Sequence, residues 1–149
     1  MSAILQILSS LGGIPVSSSL IGTPFGTISF GSDPSIDYNK AFDGNTANFF
    51  ASNANDGTAY AGLDLGSAKT VTKIRVYPRS AFVTGRISNT DIEGSNTSSS
   101  SGYTNIGNMG TVTAATWNEI TITGSYRYVR LKQNAADYLD VAEIEFWGY

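Results

Sequence analysis

Beyond Ala61, apolar and polar residues alternate in many short runs, and a chain built this way must bury one face of each run. Leu63 and Leu65 alternate with Gly62 and Asp64. Val71, Lys73, Arg75 and Tyr77 alternate with Thr72, Ile74 and Val76, a run rich in β-branched and aromatic residues. Ile120 and Ile122 alternate with Thr121 and Thr123 just after Trp117. Val129 and Leu131 alternate with Tyr128 and Arg130, and Ile144 and Phe146 with Glu143 and Glu145. Successive side chains of a strand point to opposite faces, so each run predicts a half-buried strand. Gly66, Pro78, Gly85, Gly94, Gly102, Gly107, Gly110 and Gly124 punctuate the runs, and no long stretch carries a helical period. The expectation is an all-β sandwich or barrel. Residues 94–102, rich in serine, read as a flexible polar loop, because strand signals continue on both sides.

A chain of 149 residues is long enough for one domain with a core of its own. The first 32 residues carry no charge; Asp33 is the first acid and Lys40 the first base. Within them Ala3, Ile4, Leu5, Ile7, Leu8 and Leu11 form a short apolar segment, stopped by Gly12, Gly13 and Pro15. A signal peptide would want a positive leading region, which is missing apart from the terminal amine. The segment also runs directly into extended, Ser/Thr-rich chain over 16–30. The chain therefore divides into an uncharged docking segment, 1–32, and a β domain, 33–149. Its apolar stretch, Ala3 to Leu11, reads as a short helix or strand seated on the domain itself or on a partner.

Composition removes several functions. Net charge is −3 and the nine basic residues are scattered singly, whereas nucleic-acid binders carry a basic stripe. No run of apolar residues reaches membrane-spanning length. The chain has neither histidine nor cysteine, so it cannot build a Ser-His-Asp triad, a Cys-His pair or an ordinary zinc site. Two carboxylates can cleave a glycosidic bond, and Asp137 with Asp140, or Asp33 with Asp37, are the pairs to consider. Aspartates on turns more often hold nearby backbone amides. Binding without catalysis is the expected role.

Several stretches, taken in order, resemble the discoidin or coagulation-factor type C domains and the galactose-binding-like carbohydrate-binding modules. They begin with Ala41-Phe42-Asp43-Gly44-Asn45 and Asn48-Phe49-Phe50-Ala51-Ser52. Gly62-Leu63-Asp64-Leu65-Gly66, Val76-Tyr77-Pro78-Arg79 and Gly85-Arg86-Ile87 follow. Glu93-Gly94-Ser95-Asn96, Tyr103, Trp117, the stretch Tyr126-Arg127-Tyr128-Val129-Arg130-Leu131 and Ala142-Glu143-Ile144-Glu145-Phe146-Trp147-Gly148 complete the set. Phe50 stands where the family usually has Trp, Asn48 where it has Thr, and Thr84 where the sugar-binding branch often has Asn. The resemblance implies a jelly-roll-like β-sandwich (galactose-binding-domain-like) of about eight main strands, with function in loops at one end.

It also implies two sites. In the loop 40–48, Asp43 and Glu143 would supply carboxylates to a structural calcium ion. Asn45 and Asn48 would add amide or backbone oxygens, and Lys40 and Ala142 backbone carbonyls; calcium takes six to eight such hard ligands. The same Asp43-Gly44-Asn45 could instead form a plain Asx turn without metal. For a glycan, the loops 78–86 and 133–140 offer Arg79, Phe82, Arg86, Asn134, Asp137 and Tyr138. Sugars pack a C–H face on aromatic rings and bond their hydroxyls to planar polar groups such as guanidinium. Read without a ligand, Phe82 and Tyr138 are core or edge residues, and Arg79 and Arg86 surface charges or partners of Asp64 or Asp91.

Two functions follow as expectations. One is a non-catalytic glycan-binding or attachment domain facing the cell exterior, a cell surface or a virion surface. The other is a structural assembly subunit, such as a virion decoration or fibre protein, that self-assembles through the N-terminal segment.

Overall fold

The computed structural model describes residues 13–149. The docking role expected of Met1, Leu11 and the residues between lies outside them. The described strands are β1 (Ser18–Ser19), β2 (Thr23–Gly26), β3 (Phe50–Ala51), β4 (Tyr60–Tyr77), β5 (Asp91–Ser95), β6 (Thr104–Asn108), β7 (Asn118–Lys132), β8 (Asp140–Val141) and β9 (Glu143–Gly148). Short 3-10 turns lie between β2 and β3, and one short helix, α1 (Val83–Arg86), follows β4.

Seven of these strands form one antiparallel sheet in the order β1-β9-β4-β7-β5-β6, with β2 also paired to β4; β3 and β8 form a separate ladder. Strand β4 organises the sheet. One of its edges runs along β7, from Tyr60 opposite Lys132 to Val76 opposite Asn118. The other edge is shared, with β2 on Ala61–Asp64 and β9 on Val71–Tyr77. Straight, its 18 residues would reach roughly 60 Å, far beyond a domain whose radius of gyration is about 15 Å. The ladder therefore breaks register between Asp64 and Lys69 and again between Val71 and Lys73, and bulges of this kind bend a strand. Gly66, at φ +78°, supplies a left-handed turn within the first break, where its amide donates to Asp64 at 2.8 Å. The result is an unclosed, jelly-roll-like sandwich. Leu63 and Leu131 from one half of the long strands join Val71 and Ile74 from the other, and Phe146 of β9, in one buried core.

The expected alternation holds along most of this core. Leu63, Leu65, Val129, Leu131, Ile144 and Phe146 are all buried. On β4 it changes phase after Val71: that residue is buried, but the next buried residues are Ile74 and Val76, not Lys73 and Arg75. The bulge between Val71 and Lys73 switches the inward face. Arg130 is also covered, between the rings of Tyr103 and Tyr60 at 3.6 and 4.4 Å, with Glu93 accepting from its Nε at 2.6 Å.

Two expectations need correction. Gly94 and Ser95 belong to strand β5, and the serine-rich turn beyond them is laced internally: Ser95 donates to the Ser101 carbonyl and Tyr103 to that of Ser99. The sheet also begins before residue 33. Ser18–Ser19 pairs with Trp147 and Gly148, and Thr23–Gly26 pairs with Ala61–Asp64. Phe25 then packs edge-on against Tyr60 and Tyr128. Polar, uncharged chain serves here as edge strand, which an absence of charge alone does not reveal.

Truncation to Asp33 should therefore destabilise the domain by about 2 kcal/mol or more, which for a chain of this size lowers the melting temperature by roughly 4–8 °C. Circular dichroism melts of the truncated and full chains measure this; equal melting temperatures would restore the boundary at 33.

Candidate functional site

The end of the sandwich is fixed by the β3–β8 ladder, in which Phe50 pairs with Val141 and Ala51 with Asp140. Ser52 extends it, donating its amide to the Leu139 carbonyl at 2.9 Å and accepting the Leu139 amide on its hydroxyl at 2.8 Å. Strand β4 ends at Tyr77 because Pro78 has no amide to continue the ladder. Arg79 and α1 then turn over the end of the molecule. The buried Gln133 ties α1 to the loop 134–139: its side-chain amide donates to the Tyr138 carbonyl at 2.7 Å and to that of Gly85 at 3.3 Å. Its oxygen accepts the amides of Asn134 and Ala135.

These loops enclose a cleft of about 360 Å3, lined by Phe30, Ile36, Phe49, Arg79, Arg86, Tyr138 and Asp140, with Ala51 and Ser52 at its base. Asp140 is buried, and its Oδ2 accepts from Arg79 Nη1 at 3.0 Å and Arg86 Nη1 at 2.7 Å. Its Oδ1 is buried without a partner among the described residues. The two guanidiniums also lie on aromatic faces. Arg79 sits 3.8 Å from the centre of Phe49, and Arg86 sits 4.0 Å from Phe82 and 4.8 Å from Tyr138. Phe30 meets Tyr138 edge-on at 6.0 Å. Phe82 stands more than half exposed in the left-handed region, at φ 61°. A bulky residue pays strain there, and such outliers concentrate at functional sites.

Of the residues expected to meet a glycan, Arg79, Arg86 and Tyr138 line the cleft and Phe82 stands over Arg86 at its edge. Asp137 approaches the Arg86 Nε at 3.6 Å, and its Oδ1 also accepts the Tyr138 amide. Asn134 does not join them: its amide donates to the Asn89 carbonyl at 2.8 Å, away from the cleft residues. The partner of the two arginines is Asp140. Asp64 instead takes Arg127 in a two-point pair at 2.8 and 3.0 Å, and Asp91 takes Asn108. Asp33 and Asp37 cap short turns, accepting the amides of Ser35 and Asn39. Phe30, Ile36, Phe49 and Asp140 were not among the expected ligand contacts. Phe49 could have been found in the Asn48-Phe49-Phe50 motif, and Asp140 from its place at the end of the 133–140 loop.

The second expected site gathers around Glu143. Its Oε1 accepts the backbone amides of Asp43 at 3.1 Å and Asn45 at 3.2 Å, so the first residue of β9 clasps the loop 40–48. Asp43 Oδ1 accepts the Asn45 amide, closing the Asx turn, and Asn48 donates to Asp43 Oδ2 at 2.8 Å. Burial, then the Asp43 carboxyl beside it, push the Glu143 carboxyl up to about 7. Burial also acts against the Asp43 carboxylate, but hydrogen bonds from Asn48, Glu143 and Asn45 together hold it below its usual value. Two carboxyls, one of them reaching in from β9, and two amide side chains gathered at one turn match the hard-oxygen chemistry of calcium, whose charge would relieve the pair. Backbone donors already occupy part of that set. Ala142 donates its amide to the Tyr77 carbonyl at 3.0 Å, and Lys40 donates its own to the Asp37 carbonyl, so both residues are held beside the turn.

The family model for NedA-like galactose-binding domains of the F5/F8 type C class matches residues 40–131. The chain belongs to this family. Among solved structures, the galactose-binding-like fold is shared with CBM62 of Clostridium thermocellum Xyl5A, with a TM-score of 0.76 and 25% identity, covering 88% of this chain and 96% of that one. A fucolectin from striped bass (Morone saxatilis) aligns with a TM-score of 0.74 and 22% identity over 87% of this chain and 46% of that one. The family 32 module of Clostridium perfringens NanJ, solved with galactose, aligns with a TM-score of 0.68 and 17% identity over 89% of this chain and 99% of that one. No curated protein sequence matches the chain. No helix among the described residues is long and apolar enough to cross a membrane.

The raised Glu143 carboxyl sets a pH dependence. Its folded-state value near 7, against an ordinary 4.5, means that the folded chain holds a proton the unfolded chain has released. The stability that proton supplies is complete below about pH 4.5 and is lost as pH rises through about 7. Glu143→Gln keeps an oxygen for the two amides and removes the titration. In calcium-free buffer the wild-type melting temperature should fall between about pH 5 and pH 8 while that of the variant stays level; parallel curves would show that Glu143 titrates normally.

Proposed function

We propose that this is a non-catalytic carbohydrate-binding domain that attaches to exposed glycans through the cleft at the Asp140 end of the sandwich. One observation carries the reading: a buried carboxylate holds two guanidiniums side by side, each backed by an aromatic ring. Arginine donates to two neighbouring oxygens at once, which suits paired sugar hydroxyls. Phe30, Phe49 and Tyr138 supply apolar faces for the C–H side of the ring. Relatives with this fold support it: one was solved with galactose, another with GalNAc-β-1,3-galactose and a third with chitotriose.

The aspartates weighed for glycoside cleavage have other work. Asp140 is bound to both arginines, and Asp33 and Asp37 cap turns. The domain holds its ligand and does not turn it over.

A single sugar buries little surface, so its dissociation constant should lie near 1 mM, about −4 kcal/mol. Attachment then depends on several copies acting together. Arg86→Ala and Tyr138→Ala should each weaken glycan binding at least about tenfold, roughly 1.4 kcal/mol; Tyr138→Ala should move the melting temperature by only a few degrees, whereas Arg86→Ala also takes a cation from the buried Asp140 and should melt lower. Titration calorimetry against galactose, glucose and N-acetylglucosamine checks this. Wild-type affinity in both variants would place the site elsewhere.

The proposal includes a structural calcium ion held by Asp43 and Glu143, with Asn45, Asn48 and the carbonyls of Lys40 and Ala142 completing the shell. At about 100 times its dissociation constant, calcium would stabilise the fold by roughly 2.7 kcal/mol. Asp43→Ala should abolish that gain in a thermal melt. A wild-type melt indifferent to both calcium and chelator would remove calcium from the proposal.

A further inference from the structure

A second recess, of about 380 Å3, adjoins the glycan cleft and shares Phe49 and Arg79 with it. Its remaining walls include Ala47, Asn48, Tyr77, Pro78 and Ser80. Each recess alone is near the lower end of the range for small-ligand sites, so each suits one compact ring and neither a long chain. Two such recesses with a common wall suit two linked rings.

The common wall has the chemistry to touch both. Phe49 and the Arg79 guanidinium stack at 3.8 Å, and the one hydrogen bond Arg79 makes among the described residues uses Nη1, to Asp140. Guanidinium has five N–H donors, so most of its donating capacity remains for a ligand. Tyr77, braced edge-on against Trp117 at 5.6 Å, lines the second recess. Charge narrows the ligand further. Arg79 and Arg86 in the first cleft are met by Asp140 within it and, 3.6 Å from Arg86, by Asp137 beside it, and the second recess has no charged residue beyond Arg79. A site so balanced has no surplus charge with which to select a uronate, a sialic acid or an amino sugar cation.

We propose that the ligand is a neutral oligosaccharide of at least two rings, one in each recess, crossing over Phe49 and Arg79. This rests on the reading that the first cleft binds sugar. The test is calorimetry on the full chain with galactose, glucose and N-acetylglucosamine and with their matching β-linked di- and trisaccharides. For the sugar recognised, the disaccharide should bind about tenfold more tightly than the single ring. Ala47→Trp and Ser80→Trp, both at exposed positions, place an indole in the second recess. Each should reduce that tenfold advantage to less than about twofold while single-ring affinity stays at the wild-type value. A disaccharide that binds no better than its single ring overturns the inference and leaves the sugar-binding reading standing. So does an advantage that survives both substitutions. If no single ring or oligosaccharide binds the wild type, both fail together.

Discussion

The pairing of β4 with β7 is the constraint on which the rest of the molecule depends. The two strands run antiparallel from Tyr60 opposite Lys132 to Val76 opposite Asn118, so their carboxyl ends leave the ladder at opposite ends. Were the pair straight, about 50 Å would separate the exit of β4 from that of β7. The eight residues from Lys132 to Asp140 span at most about 28 Å when fully extended, and the two from Tyr77 to Arg79 about 7 Å. Yet Arg79 and Asp140 are in contact at 3.0 Å. A straight ladder would need both segments and both side chains at full stretch even to approach contact; a ladder folded back on itself brings them together without that. The register breaks flanking Lys69 and Val71 are thus a condition of the site as well as of the core.

The contact so made is electrostatically economical. Asp140 is buried, and taking a carboxylate out of water is costly unless cations meet it. Two meet it here on a single oxygen. The arginines in turn keep about a quarter of their side-chain surface exposed, so they are oriented by the buried acid without being consumed by it. Stacking on Phe49, Phe82 and Tyr138 restricts the guanidiniums further. Groups held this way lose little freedom when a ligand arrives, and recognition of weakly binding sugars depends on that saving.

The alternation of residues revealed the strands because burial on one face is a local property, as Leu63, Val129 and Phe146 illustrate. It could not reveal the change of phase after Val71, since a bulge is set by how two strands meet. The family motifs brought Arg79, Arg86 and Tyr138 to one end of the fold, but the identity of their shared partner depends on sandwich closure. Asp64 and Asp91 were equally plausible by spacing, and Asp140 was reached only through the β3–β8 ladder. Phe30 was hidden for a different reason. The charge-poor opening of the chain suggested a separate segment, whereas the Ser29–Ser52 bridge seats that part of the chain beside the cleft. Asn134 sat in the correct loop but points to the Asn89 carbonyl, and sequence does not encode a side-chain direction in a loop.

The two expected sites also prove to be mechanically joined through Phe49. Upstream of it, Glu143 fixes the loop by accepting the amides of Asp43 and Asn45. Immediately downstream, Phe50 and Ala51 are fixed by pairing with Val141 and Asp140. The clamps on either side come from one short stretch, residues 140–143, which carries Asp140 at one end and Glu143 at the other. Phe49 is therefore suspended between two anchors that move together, with Arg79 stacked upon it. An aromatic wall braced at both ends can present its face without rearranging, so the clasp at Glu143 contributes to the shape of the cleft although it touches none of the ligand-facing groups.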